Sequence, residues 1–214
     1  MKKIKLCGMF RSQDIKYANA IKPDFVGFVF AKSKRQITLE QATEFSWQLD
    51  TEIQAVGVFV NEEIKNIVTL CKQDAIQLVQ LHGDENRDYI EQLRDEIRKA
   101  KPSGSGLNPI KIIKAVRISS KEDALAADTL PVDYLLLDAT STKAVGGTGE
   151  QFDWSQIPEL EHPYFLAGGI GLHNIDEALK TTAYGIDTSS GIETEGVKDP
   201  EKMRKMVAAV KQYR

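Results

Sequence analysis

"PYFLAGGIGLHNIDEALKTTAYGIDTSSGIE", residues 163–193, contains a complete strand–helix–strand unit, and the rest of the chain is read outward from it. Pro163–Leu166 is a short apolar run that leads into Ala167-Gly168-Gly169. "NIDEALKTT" follows with helical spacing, and Gly185–Asp187 is a second short run ending in Thr188-Ser189-Ser190. A strand that returns through a helix to the next strand lies parallel to it. The helix is read as opening near Leu172, and Ser189, Ser190 and Gly191 as standing ahead of a short extra helix. Glycines and helix N-terminal N–H groups after two consecutive parallel strands form a recurrent phosphate site. Gly168, Gly169, Ser189, Ser190 and Gly191 are therefore candidate phosphate contacts. Either segment alone reads equally well as a tight turn.

The same alternation extends back to the N-terminus. Apolar runs occur at Ile4–Cys7, Phe25–Phe30, Ile53–Val60, Ile76–Leu81, Ile110–Val116 and Val132–Leu137, most of them β-branched or aromatic. Between them, "QDIKYANAIK", "TLEQATEFSWQL", "EEIKNIVTLCKQ", "RDYIEQLRDEIRK" and "SKEDALAADTL" have helical spacing, and "PEKMRKMVAAVKQY" closes the series. Thr38 and Gln41 have capping-box spacing. Cys71 lies on the apolar stripe of its helix and reads as core. Eight such units in 214 residues predict an α/β fold, a single-domain (β/α)8 TIM barrel over residues 1–214. Its sixth helix, after "GGTGEQFDWSQI", is short or absent. A doubly wound open sheet is the alternative, and residues 99–109, "KAKPSGSGLNP", read as a loop.

Composition narrows the function classes. A formal charge of −3 gives no basic surface, and 7% aromatics gives no base-stacking platform, so no nucleic-acid partner is expected. No apolar run approaches the roughly 20 residues that span a bilayer, and no signal-peptide core follows the N-terminal lysines. The expectation is a cytoplasmic protein with no membrane partner. Two cysteines and three histidines, without metal-ligand spacing, predict no disulfide framework and no metal.

In a barrel, chemistry sits where the strands end at their C-termini. Those ends carry Cys7, the "AKSKR" loop with Arg35, Asn61, His82, Arg117 and Asp138. A carboxylate closing the apolar "LLLD" strand would face a desolvated cavity that raises its pKa, which suits a proton donor. A loop-bracing Asp is the alternative. Cys7 reads as either a base or nucleophile, or as a small core residue. The loop after strand 6 holds Gly146, Gly147 and Gly149, and Gly147 is a further candidate phosphate contact. Asn61 and Gln80 read as scaffolding, and Lys198 and Lys202 as solvated residues of a helix.

The ordered series "KLCGM", "VGFVF…SKR", "VGVFVNE", "VQLHGDE", "LLLDAT", "GGTGEQFDW", "FLAGGI" and "IDTSSGIETEGVKDPEKM" resembles the phosphoribosylanthranilate isomerase family of tryptophan biosynthesis over nearly the whole chain. The chain departs from the family pattern at Lys34, where proline is usual, at Phe10 and Ser12, and at Leu172-His173. The resemblance implies an Amadori rearrangement of N-(5-phosphoribosyl)anthranilate to 1-(2-carboxyphenylamino)-1-deoxyribulose 5-phosphate, without a cofactor. It also implies Cys7 as general base, Asp138 as general acid and Arg35 on the anthranilate carboxylate. His82 would either bond near the substrate or brace its loop.

One catalytic group must start ionised and the other protonated. A free thiol, at about 8.5, needs only modest electropositive help to ionise. The expected partner is a small phosphoribosyl substrate, for a monomer or homodimer. Among related phosphate-binding barrels, indole-glycerol-phosphate synthase would need lysines projecting near the rim, and none is read there. The epimerase's metal ligands are missing, and the histidine-pathway and two-substrate isomerases have Asp where Cys7 stands. A non-catalytic binder of the same ligand is the remaining rival.

Overall fold

A computed structural model describes residues 1–101, 109–139 and 153–213. Eight parallel strands close into a barrel in sequence order: β1 (Lys3–Cys7), β2 (Phe25–Val29), β3 (Gln54–Phe59), β4 (Leu78–Leu81), β5 (Lys111–Arg117), β6 (Tyr134–Asp138), β7 (Tyr164–Ala167) and β8 (Gly185–Thr188). Helices α1 (Ser12–Ile21), α2 (Leu39–Gln48), α3 (Ile64–Lys72), α4 (Arg87–Ala100), α5 (Lys121–Ala127), α6 (Ile175–Lys180) and α7 (Pro200–Gln212) connect them. Between β6 and β7 the described residues hold only one 3₁₀ turn, Trp154–Gln156, as the sequence predicts for the sixth helix.

Side-chain caps start α2, α4, α5 and α7. Thr38 Oγ1 accepts from the Gln41 N–H, and Gln41 Oε1 accepts from the Thr38 N–H, completing the capping box of α2. Asn86 accepts from the Tyr89 N–H to cap α4, and Asp199 accepts from the Glu201 and Lys202 N–H groups to cap α7, which has Pro200 in its first turn. α6 starts differently from the sequence reading. It begins at Ile175, three residues later than expected, because Asn174 is used by the preceding loop. Asn174 Oδ1 accepts from Gly171 N, and its Nδ2 donates to Gly169 O.

Side chains alternate across each strand, so one set lines the barrel and the other meets the helices. Ile4, Leu6, Val26, Phe28, Val79, Leu81, Leu135 and Leu137 belong to the outer core, packed under the helices. Phe25, Val56, Leu78, Ile113, Leu136 and Phe165 form a separate inner core near the N-terminal end of the strands. Two positions further along four of these strands, Val58, Gln80, Asp138 and Ala167 open onto a cavity, joined there by Asp187 of β8.

Candidate active site

Cys7 ends β1 and pairs in register with Gly27 of β2. A Cβ on Gly27 would lie 2.7 Å from Cys7 Sγ, so only glycine leaves room for the sulfur there. The cavity measures about 390 Å³ and is lined by Cys7, Arg35, Gln80, His82, Asp138, Gly168, Gly169, Asp187, Ser189 and Ser190, among others. A second space of about 600 Å³ continues toward β4–β6 and shares His82 and Asp138 with it. The structure thus brings together the candidates Cys7, Asp138, Arg35, His82, Gly168, Gly169, Ser189 and Ser190. Gly191 stands behind the wall instead: a Cβ there would fall 2.1 Å from Ile170 O, so it lets the β8 loop lie on the β7 loop. Gly147 and its neighbours Gly146 and Gly149 lie outside the described residues.

The β7 and β8 ends form one side of the cavity. Gly168 and Gly169 take φ of 101° and 67°, left-handed values that side chains rarely adopt, which turn the backbone toward the cavity. Ser190–Ile192 is a single 3₁₀ turn after β8; the short extra helix is thus present, but it opens at Ser190 and includes Ser190 and Gly191 rather than following them.

Cys7 is held in a field of buried charge. Lys5, two residues earlier on the same face, is fully buried and lies 2.7 Å from Asp187, its register partner on β8. Its ammonium favours the ionised form of the Cys7 sulfur electrostatically. Lys198 approaches from the other side. It sits on the two-residue strand β10 (Val197–Lys198), which pairs with β9 (Glu193–Thr194), and its side chain is fully buried. Lys198 Nζ donates to Ser189 O at 3.0 Å and to Glu193 Oε1 at 2.7 Å.

Three expectations are corrected here. Lys198 is neither solvated nor helical, because β10 folds it under the β8 loop. A lysine, Lys5, does project inside the barrel beside the reacting end. And the Cys7 thiol is not brought down toward neutrality: burial pushes its pKa up, and the opposing pull of Lys5 and Lys198 does not overcome this.

Arg35 reaches the cavity with its Nε and Nη2 donated to Glu193 at 2.6 and 2.7 Å, a bidentate pair that raises its own pKa. Glu193 thus clamps Arg35 and Lys198 together, and their hydrogen bonds hold its carboxyl below the usual range. Across the cavity, Gln80 Nε2 donates to His82 Nδ1 at 2.9 Å, and His82 Nε2 stands 4.0 Å from Asp138 Oδ2. Desolvation lowers the His82 pKa and Lys5 lowers it further, so the ring is neutral near pH 7. Lys202, on α7, donates to Glu193 O. Among the described residues no cluster of His, Cys, Asp and Glu could hold a metal ion, and no helix is long and apolar enough to cross a membrane.

Comparison with known proteins bears on what this cavity does. Residues 4–209 match the family model for N-(5'-phosphoribosyl)anthranilate (PRA) isomerase. The chain is 44% identical over 204 residues to the N-(5'-phosphoribosyl)anthranilate isomerase of Endomicrobium trichonymphae, covering 95% of both chains. It resembles the crystal structure of phosphoribosyl anthranilate isomerase from Thermotoga maritima at 32% identity and TM-score 0.77, with 99% of each chain covered. A second such structure, at 29% identity, TM-score 0.75 and the same coverage, holds reduced 1-(o-carboxyphenylamino)-1-deoxyribulose 5-phosphate.

Proposed function

The chain belongs to the N-(5'-phosphoribosyl)anthranilate isomerase family, an isomerase of tryptophan biosynthesis, and from that premise we propose how its own residues divide the reaction. Asp138, as carboxylic acid, gives its proton to the furanose ring oxygen. The C1′–O bond breaks toward that oxygen while the anilino nitrogen lone pair forms a protonated imine. Cys7, as thiolate, then takes the C2′ proton. The C–H electrons form C1′=C2′, and the imine π pair returns to nitrogen. The resulting enolamine gains a proton at C1′ and loses the one on its 2′ oxygen, giving the ketone. Atoms and electrons balance within the substrate, so no redox partner or cofactor enters.

The observation that carries these roles is the placement of a thiol and a carboxyl on one cavity whose β7–β8 side is built of glycine turns and two serines. Gly168, Gly169, Ser189 and Ser190 would hold the phosphate, with Gly191 seating the loop. Arg35 Nη1, which makes no hydrogen bond to the described residues, would meet the anthranilate carboxylate. The upward shift of the Cys7 thiol has a consequence for the base. Less thiolate is present at neutral pH, but what forms is a stronger base, stabilised by the neighbouring Lys5 and Lys198.

The test is the loss of anthranilate fluorescence on freshly made phosphoribosylanthranilate. Cys7→Ala and Asp138→Asn should each lose most turnover while keeping affinity for the reduced product analogue. Wild-type turnover in either variant removes that residue from the mechanism.

A further inference from the structure

Gln80 is 1% exposed, yet its Oε1 is a buried oxygen with no hydrogen-bond partner among the described residues. Such an atom is costly in a folded protein, and native structures keep few of them. Its other end lies 2.9 Å from His82 Nδ1, which accepts from Nε2 in the tautomer that carries its proton on the ring nitrogen facing Asp138, 4.0 Å away. A neutral imidazole can accept there only if the amide nitrogen, not the oxygen, faces it. The oxygen is left to the cavity that also holds Cys7 and Asp138.

Topology says which part of the substrate it meets. In a closed eight-stranded barrel numbered in spatial order, β4 stands opposite β8. With phosphate held at the β7–β8 side, Gln80 faces the far end of the sugar, where C1′ joins the aromatic amine. The donor at that junction is an N–H. It carries little charge in the furanose and full positive charge once the ring opens.

Resting on the roles given above to Cys7 and Asp138, we propose that Gln80 is a further catalytic residue. Its Oε1 accepts a hydrogen bond from the N–H linking anthranilate to the sugar, and this bond strengthens as that nitrogen becomes the protonated imine. A bond that tightens as charge develops lowers the barrel's activation barrier without tightening ground-state binding equally. An amide suits the task better than a carboxylate. It stabilises the cation but is too weak a base to remove its proton, which would quench the electron sink that acidifies C2′.

The test uses Gln80→Met, which keeps bulk and loses the acceptor, beside Cys7→Ala. Two inert inhibitors serve as probes: the reduced product analogue with its secondary amine, and a counterpart with an ether oxygen in place of that nitrogen. Gln80→Met should lower kcat on the order of 10- to 100-fold with KM nearly unchanged. The wild type should bind the amine about tenfold more tightly than the ether, and Gln80→Met should bind both alike. Cys7→Ala should keep the preference. An intact amine preference in Gln80→Met overturns the proposal whatever happens to kcat, since a residue that only braces His82 would not alter it. Wild-type turnover by Cys7→Ala would instead sink the underlying roles, and the inhibitor pair would still decide Gln80.

Discussion

At the N-terminal end of the strands, the barrel interior is filled by Phe25, Tyr134, Phe165 and Tyr184, with Phe25 and Phe165 edge to face at 5.4 Å. At the C-terminal end the same interior holds Lys5, Cys7, Gln80, Asp138 and Asp187 around open space. One end is closed by apolar packing that needs no partner. The other keeps a buried ammonium, a thiol and an amide oxygen without a partner among the described residues, each costly alone. Stability and chemistry are thus stacked in layers along one set of strands. The two cysteines differ in the same way. Cys71 on α3 lies in the apolar outer core, where burial pushes its thiol up to about 12. Cys7 is also buried, but two ammonium groups offset part of the effect.

Substitutions sharpen or break this division, beginning with the largest effect. Asp138→Asn should lower kcat by about 10²- to 10⁴-fold, the usual range for a lost acid–base group, with the urea midpoint unmoved. A large shift in that midpoint would make Asp138 a structural residue. Phe165→Ala empties the closed end and should cost about 3–5 kcal/mol in urea unfolding, with kcat of the folded protein retained. A proportional loss of kcat would show that the layers are not separable.

Lys5→Met tests the boundary between them. It leaves the Asp187 carboxylate without its buried partner, at a cost of about 3–5 kcal/mol. The pair with Asp187→Asn should recover most of that stability. In both variants, alkylation of Cys7 should need higher pH than in the wild type, because the ammonium favouring the thiolate is gone. An unmoved alkylation profile would remove Lys5 from the control of Cys7.

A smaller effect follows from His82, whose pKa lies below the ordinary 6.5. Lys5 and Lys114 lower it electrostatically, while Asp187 and Asp138 raise it. Its neutral form accepts from Gln80, so the arrangement is intact above that lowered pKa. It is lost as pH falls through it, when a protonated Nδ1 would turn the amide and withdraw Oε1. The wild type should show a several-fold loss of kcat on that acid side, and Gln80→Met should lack it. The smallest change is expected from Cys71→Ala: about 1 kcal/mol of stability and unchanged kcat.

Much of this was legible in the sequence. The eight runs and their helices follow from periodicity, and Cys7, His82 and Asp138 follow from asking which residues end those runs. What escaped was the charge around them. In "MKKIKLCGMF" the lysines alternate with Ile4 and Leu6 as solvent-facing residues would, yet it is the lysine face that carries Cys7 into the barrel. Parity with Cys7 was the available signal for Lys5. Its partner Asp187 and the Arg35–Glu193 clamp join segments far apart in the chain, which no local pattern encodes. Lys198 reads as part of a helix because the hairpin that buries it has strands only two residues long.

The role of Cys7 is tested most directly with substrate carrying deuterium at C2′. The wild type should release that deuterium from C2′ as the ketone forms. The Cys7→Ala protein should bind the same substrate through its phosphate and leave the C2′ deuterium in place. Release at the wild-type rate from Cys7→Ala would mean that another group takes the proton.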